Sequence, residues 1–387
     1  MTNIELRKNI LTQHTKNDSI INELLAYNHN PYHENITITE LDLQKESEKH
    51  LERWKFYKNE ANENGVYNTL KRRFPQFQFP VIEGISKTER YRNATLKGKQ
   101  VQQASESASF SLTDPENLEL IIQQTPIGEI PVLIPGNRAD FESLVRVFAL
   151  RNEPGPVPKS MGACTVKGYN NWDRIHQYRR DLEENSGKPM DEILWQIEFK
   201  KIIQNKELYQ DKFIILSRGP YSNVRAESIG MDEDEWKKLS LKIRLEHECC
   251  HYFTLRLFGI TRNNLLDELL TDFYGMVKTF NKFQSELFFQ FMGLEDFPNY
   301  RSGGRMENYL GNPPVSTAAF AVLQKLTYLS AKNIENFYNK ISKKNSNRSL
   351  FLVLLTILKL GLEMIGSEDG QENLRSTYKE LMGQNKD

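Results

Sequence analysis

Along most of the chain, apolar residues recur every three or four positions between polar ones. This spacing places apolar side chains on one face of a helix and therefore predicts amphipathic α-helices. The longest pattern begins at the acidic residues 232–235 and ends before Gly259, as expected for a capped helix. Asp140 is the expected N-cap of a shorter helix that ends at Leu150. The predicted helices cover residues 4–27, 39–62, 140–150, 172–184, 190–206, 232–258 and 264–282, and two more apolar helices follow residue 297.

Three shorter apolar runs, at residues 118–124, 129–135 and 213–217, predict β-strands. A proline and a glycine between the first two runs indicate a tight turn. The small residues of 162–172 indicate a loop instead. Together with the many helices, these runs predict an α+β fold that is predominantly helical and contains a small β-sheet.

The segment 97–117 is polar and rich in small residues, which is typical of an exposed loop or a domain boundary. We therefore divide the chain into two regions. Residues 1–112 form a helical N-terminal region of unknown role, and residues 113–387 form a second region that contains the predicted strands and the remaining helices.

One apolar run, residues 349–366, needs to be weighed as a membrane span. Lys359 and Glu363 interrupt it, so its unbroken apolar part is about ten residues, whereas a spanning helix needs roughly 20. The sequence therefore predicts a buried core helix at this position and no association with a membrane.

The overall charge narrows the possible partners. Lys and Arg together number 51, as do Asp and Glu, so the net charge is zero, which argues against a generally nucleic-acid-binding surface. The three cysteines, two of them adjacent, do not suit a disulfide framework. Because the N-terminus also lacks the apolar run of a secretory signal, we expect a cytoplasmic protein.

Residues that could bind a metal ion lie in the second half of the longest predicted helix, in the pentapeptide HECCH. His247 and His251 are four residues apart, so on a helix both imidazoles face the same side and can bind one Zn²⁺. Zinc lowers the pKa of a bound water toward ~7, and the neighbouring Glu248 is placed to take its proton without binding the metal itself. The spacing therefore predicts a zinc site with a general base beside it.

A third ligand is available on the next predicted helix. Glu268 lies 17 residues after His251, and packing of the two helices would turn it toward the histidines. Asp272 is one turn further along, where it can accept a hydrogen bond from a ligand imidazole and orient it. Two alternatives stay open: a chance match on a charged helix face, and a zinc site kept only for structure. Cys250 suits helix packing better than a fourth ligand position.

HECCH followed by DELLTD resembles the gluzincin metallopeptidases, the thermolysin-like group whose pattern is HExxH and then Glu-x-x-x-Asp. The resemblance implies a zincin-like region in which His247, His251 and Glu268 bind zinc and Glu248 is the general base. It makes Asp272 the partner of the first histidine. It also implies that an extended peptide binds along the edge of the strand before the active-site helix.

On that strand, the peptide would contact Ile215 and Ser217. A tyrosine, arginine or histidine would stabilise the oxyanion that forms on the attacked carbonyl. Arg305 and Tyr309 are the leading candidates for this role, because they lie in a glycine-flanked loop downstream of the ligands. The other candidates are Tyr221, Tyr274 and Arg301.

These observations predict a zinc-dependent hydrolase, and in particular a metallopeptidase that cleaves an intracellular peptide or protein substrate. One alternative is a zinc hydrolase of a non-peptide amide or ester. The other is a non-catalytic helical protein that binds a partner and carries a structural or vestigial zinc site. The sequence gives no lead on cleavage specificity or oligomeric state.

Overall fold

A computed structural model describes residues 3–33, 47–99, 109–341 and 347–384. Within these residues the chain forms fourteen α-helices and a four-stranded sheet, so the predicted α+β, predominantly helical fold is confirmed. The helices are α1 (Asn3–Leu11), α2 (Asp18–Tyr27), α3 (Leu51–Asn64), α4 (Val66–Arg73), α5 (Glu89–Lys97), α6 (Arg138–Phe148), α7 (Trp172–Ser186), α8 (Glu192–Gln204), α9 (Glu233–Phe258), α10 (Leu265–Phe280), α11 (Ser285–Met292), α12 (Thr317–Asn339), α13 (Asn347–Gly366) and α14 (Gly370–Gln384). The strands are β1 (Glu119–Thr125), β2 (Gly128–Ile134), β3 (Ala163–Asn170) and β4 (Gln210–Leu216).

The described residues divide into two compact units. Unit one lies within Met1–Lys45, Thr125–Ile127 and Pro220–Asp387, and unit two within Glu46–Gln124 and Gly128–Gly219. Unit one therefore contains α1, α2 and α9 to α14, whereas unit two contains the sheet and α3 to α8. Neither unit begins at residue 113. The division into a region of unknown role, residues 1–112, and a second region, residues 113–387, stays a prediction.

In unit two, the sheet has the strand order β1-β2-β4-β3. Strand β4 runs parallel to β2 on one side and antiparallel to β3 on the other, so it is an internal strand. An aromatic core that includes Trp54, Phe74 and Phe213 packs in this unit, and all three side chains are fully buried. Burial of such large side chains supplies most of the hydrophobic stabilisation of a sheet-and-helix layer.

Strand β3 was not expected, because the small residues of this segment indicate a loop. Its register with β4 shifts between Lys167 and Tyr169, at Gly168, which has a φ of 80° that glycine adopts without strain. The bulge explains why the segment lacks the regular alternation of a strand. By contrast, β1 and β2 were expected, and they form where the apolar runs predict them.

In unit one, the long helix α9 has the ends that the sequence predicts. Asp232 caps its first turn by accepting hydrogen bonds from the backbone N–H groups of Asp234 and Glu235. Gly259 ends it in the left-handed conformation, with a φ of 71°. Asn264 then caps α10 by accepting from the N–H of Asp267. The connection between the two helices is short, which brings them side by side.

Helix α13 is, within the described ranges, the one helix long and apolar enough to cross a membrane, and 83% of its apolar window is buried inside the protein. This burial agrees with the predicted core helix. Glu363 pairs there with Arg7 of α1 at 2.7 Å, and both side chains are almost fully buried. A buried carboxylate requires such a partner, because desolvation otherwise disfavours its charge.

Several predicted boundaries shift. The pattern over residues 4–27 is two helices, because Asn17 caps α2 and interrupts the run. Asn137, not Asp140, caps α6; the Asp140 carboxylate instead accepts from the backbone of Thr113 and Asp114. The prediction for residues 39–62 falls partly outside the described residues, and α3 accounts for its second half. Three helices, rather than two, end the described chain.

Candidate metal centre

Helices α9 and α10 carry the candidate site and lie against each other within unit one. Gly275 makes this close approach possible. A Cβ atom at this position would lie only 2.9 Å from the backbone carbonyl oxygen of Ile243 on α9, so a larger residue would push the helices apart. Gly275 faces the turn of α9 that begins the HECCH pentapeptide, because the same Cβ would lie 3.5 Å from the His247 nitrogen.

The three predicted ligands converge. Oε2 of Glu268 lies 3.7 Å from Nε2 of His247, and Oε1 lies 3.5 Å from Nε2 of His251. One ligand atom from each residue lies within 4.8 Å of the other two. A tetrahedral zinc ion with bonds of about 2.0–2.1 Å separates its ligand atoms by about 3.3–3.4 Å, so small side-chain adjustments bring the three onto one ion.

A polar cluster behind His247 fixes which imidazole nitrogen faces the other ligands. Nδ1 of His247 lies 2.9 Å from Oδ1 of Asp272 and 2.7 Å from the hydroxyl of Tyr221, which itself donates to Asp272 at 2.6 Å. Because an ionised carboxylate only accepts hydrogen bonds, this arrangement favours the proton on Nδ1. The Nε2 lone pair is then left to face Glu268, as in metal-bound histidines.

Burial and charge shift the pKa values of Glu268 and His251 in opposite directions, and the combined effect of charge and hydrogen bonding is the larger. Burial alone would raise the pKa of Glu268, but its hydrogen bond with His251 and the nearby cationic groups lower it to about 2. Burial alone would lower the pKa of His251, yet Glu268 and the charge of Glu248 raise it to about 9. Without a metal, His251 and Glu268 therefore form an ion pair. A bound cation would replace the imidazolium proton as the partner of the carboxylate.

Two of the predicted oxyanion donors reach the same cluster from the segment after residue 304. Arg305 donates to Oδ2 of Asp272 and, at 2.8 Å, to the hydroxyl of Ser222, and its Nη2 lies 3.9 Å from Oε2 of Glu268. Burial and the negative charge of Glu268 raise the pKa of Tyr309 well above its ordinary value, and a hydrogen bond to that carboxylate adds to the effect. Arg305 thus contacts both carboxylates of the cluster, and the pKa of Tyr309 responds to the charge of Glu268.

Glu248 is half-buried on α9, beside the first ligand. Its negative charge contributes to the raised pKa of His251, which places it electrostatically next to the cluster. Glu248 thus lies on the same helix as the two histidines, in the unit that contains the cluster.

Of the three other oxyanion candidates, Tyr221 belongs to the polar cluster behind His247. Arg301 is exposed and pairs with Glu295. Tyr274 is buried, and burial, with a smaller contribution from the charge of Glu246, raises its pKa above the ordinary value.

The predicted peptide-binding edge is wrong. Ile215 is fully buried in the internal strand β4, and it pairs with Leu133 on one side and Cys164 on the other. The N–H of Ser217 donates to the carbonyl oxygen of Gly162 at 2.8 Å. Both residues belong to unit two, whereas the cluster belongs to unit one. Because β3 and β2 occupy the two sides of β4, a peptide cannot add to this strand.

The adjacent cysteines are packing residues. Cys249 and Cys250 are fully buried, and burial raises the pKa of both thiols well above the ordinary value. Neither belongs to the group of converging ligands in the described part of the chain. Neutral buried thiols behave as small apolar side chains.

Two contributors to the site were not identified from the sequence. Ser222, which accepts from Arg305, has a φ of 52°, a left-handed conformation that is uncommon for non-glycine residues. No sequence signal marks it. Gly275 did carry a signal, because an isolated glycine within an apolar helical run often marks a close helix contact.

Replacement of Gly275 with alanine is expected to separate α9 from α10. We expect a loss of about 1–3 kcal/mol of unfolding free energy, as for other overpacked contacts, and zinc affinity lower by about tenfold. Denaturant unfolding and competition with a chromophoric chelator measure the two effects. Gly383→Ala is the matched control, because no atom lies within 4 Å of a Cβ there. Equal behaviour of the two variants would show that the close approach is unimportant.

The fold and this cluster define a class: a predominantly helical α+β protein with a His-His-Glu candidate metal centre between two helices of one unit. The chain belongs to a family of unknown function, DUF7005, whose model matches residues 9–369 and so spans the whole cluster. No curated protein matches the chain, and no solved structure does.

Proposed function

We propose that this protein is a zinc-dependent hydrolase, and in particular a metallopeptidase. The observation that carries the proposal is the convergence of His247, His251 and Glu268 from two helices, with Asp272 behind the first imidazole. A chance match on a charged helix face would not bury these side chains together. His247, Glu268 and Asp272 are all at most 6% exposed.

The residues present fit a zinc ion. Two imidazole nitrogens and one carboxylate oxygen are a ligand set that zinc accepts, and catalytic zinc sites commonly have three protein ligands where structural sites have four. Oε2 of Glu268 is buried and makes no hydrogen bond with the described residues, so a buried acceptor is left for a cation. When bound, zinc would act as a Lewis acid and supply an activated water.

The roles of the side chains follow from their positions. Hydrolysis adds water across the amide bond, and Glu248 would take one proton from the water and deliver it to the leaving nitrogen. Asp272 and Tyr221 would hold the His247 imidazole in one tautomer and orientation. Arg305 and Tyr309 are the donors that contact the cluster, and they would stabilise negative charge on the attacked oxygen.

A second candidate is a zinc hydrolase of a non-peptide amide or ester. It is favoured by the internal position of β4, which removes the strand edge along which the resemblance implies that a peptide binds. The ligands and Glu248 would serve either reaction. A panel of peptides, acylated amines and esters, offered to the zinc-loaded protein, separates the two candidates by which bond is cleaved.

Purified protein is expected to contain about one zinc ion per chain, because the described residues supply one converging three-ligand group. Elemental analysis after extensive dialysis measures the stoichiometry, and a strong chelator should remove the zinc together with any hydrolysis. Protein that takes up far less than one equivalent from zinc-containing buffer would contradict the proposed function. Full zinc content with no hydrolysis across the panel would point to the non-catalytic role instead.

A further inference from the structure

The N-terminal helix α2 contacts the segments that carry the candidate centre, and all of these segments belong to unit one. The hydroxyl of Tyr27, the last residue of α2, donates to the backbone carbonyl oxygen of Tyr309 at 2.6 Å. The same hydroxyl accepts a hydrogen bond from the N–H of Leu265 at 3.3 Å. One side chain therefore joins the donor-carrying segment to the start of α10.

Both contacts lead to Glu268. Leu265 is the first residue of α10, and Glu268 lies in the same first turn, with its N–H bonded to the Asn264 carbonyl at 3.1 Å. The first N–H groups of a helix have no partner within the helix, so Tyr27 satisfies one of them and restrains this turn. On the other side, Tyr309 ends the short helical turn that begins at Arg305, whose Nη2 lies 3.9 Å from Oε2 of Glu268. Tyr27 thus restrains the helical turn that carries Glu268 and the segment that carries Arg305 and Tyr309.

A second residue of α2 restrains the far end of the same segment. Glu23 lies one turn before Tyr27, and its carboxylate accepts from the N–H and the hydroxyl of Ser316 at 2.5 and 2.6 Å. Ser316 is the N-cap of α12. Between these two contacts, Gly311 passes close to the Tyr27 ring. A Cβ atom added to Gly311 would lie 3.7 Å from the nearest ring atom. Residues 309–316 are therefore fixed to α2 at both ends.

We propose that Tyr27 is a positioning residue of the metal centre, and that Glu23 assists it by fixing the end of the same segment. Under this proposal, the N-terminal part of unit one has a role. It holds Glu268 and Tyr309 in position relative to the imidazoles of His247 and His251. The inference rests on the proposed function in one respect, namely that a metal ion binds the cluster. Zinc sites depend on such outer partners, whose loss typically weakens metal binding by about 10–100-fold.

The test uses Co²⁺ as a spectroscopic probe in the full-length protein, because its visible absorption reports the geometry of the ligands. Tyr27→Phe removes only the hydroxyl. We expect an altered Co²⁺ spectrum and an affinity for Zn²⁺ lower by about tenfold, the lower end of the range for outer partners. Tyr67→Phe is the matched control, because Tyr67 likewise donates its hydroxyl to a backbone carbonyl, that of Phe110 at 2.7 Å, but in unit two.

The outcomes separate the two proposals. If wild-type protein binds no Co²⁺, the metal centre is absent, and the proposed function and this inference fall together. If wild-type protein binds one equivalent and Tyr27→Phe matches Tyr67→Phe in spectrum and affinity, the inference alone is overturned. Should Tyr27→Phe fail to fold, Glu23→Ala decides, because it changes a partly exposed side chain. It should alter the spectrum in the same direction, and an unchanged spectrum would refute the role of α2.

Discussion

Replacement of Glu268 with alanine is expected to remove zinc from the protein at chelator concentrations that leave the wild type loaded. Zinc sites bind with about 10–16 kcal/mol, which corresponds to roughly 3 kcal/mol for each of four ligands, so the affinity should fall by at least about 100-fold. The change also frees His251 from its ion pair, and the imidazole can then lose its proton without leaving an unpaired charge. The folded protein should therefore survive the substitution. Titration with a chromophoric chelator measures the affinity.

Glu363→Gln is the control for Glu268→Ala, because it should lower stability and leave zinc affinity unchanged. Glu363 is also a buried carboxylate of unit one, but it pairs with Arg7. Its loss leaves the guanidinium without a charged partner and should lower the free energy of unfolding by about 3 kcal/mol, with zinc affinity unchanged. If Glu268→Ala retains wild-type affinity, or if both variants lose zinc equally, Glu268 is not a ligand.

The convergence of the three candidate ligands was predictable from the sequence because it depends on helix periodicity and short connections. His247 and His251 share a face of any regular helix, and the ends of α9 are marked by Asp232 and Gly259. The approach of Glu268 follows once α10 is packed against α9. Such local patterns also predicted most of the helices and the pair β1 and β2.

Contacts that join distant parts of the chain were not predictable in this way. Tyr27 and Tyr309 are 282 positions apart, and no periodic pattern links them. Strand β3 was missed because a bulge breaks its alternation, and β3 occupies the side of β4 where the resemblance implies a free edge. Both errors concern pairing between segments, which is decided by packing rather than by local sequence.

The cluster carries enough charge to require compensation even before a metal binds. Glu268 and Asp272 are both buried, and two such carboxylates on adjacent turns would repel each other strongly in a medium of low polarity. Arg305 lies between them and contacts both, while His251 pairs with Glu268. This arrangement gives each carboxylate a basic side chain as a partner. It also means that Arg305 has a structural task besides any role at the attacked carbonyl.

Replacement of Glu248 with glutamine is expected to abolish hydrolysis while zinc stays bound at about one equivalent. Glutamine has nearly the same shape but cannot take a proton, and loss of a general base typically slows a reaction by about 10²–10⁴-fold. Because Glu248 is not one of the converging ligands, the zinc affinity should change little. Turnover of a substrate found in the panel, measured together with the zinc content of the same sample, tests both halves of the expectation.

Glu246→Gln is the matched control for this substitution, since it makes the same chemical change two residues earlier on α9. Positions two apart project from nearly opposite sides of a helix, and burial raises the pKa of Glu246, as expected for a carboxyl outside the charged cluster. This variant should hydrolyse substrate at the wild-type rate. Wild-type turnover by Glu248→Gln would exclude it as the base. Equal losses in both variants would mean that any amide on this helix disturbs the site, and the assignment of Glu248 would then have no support.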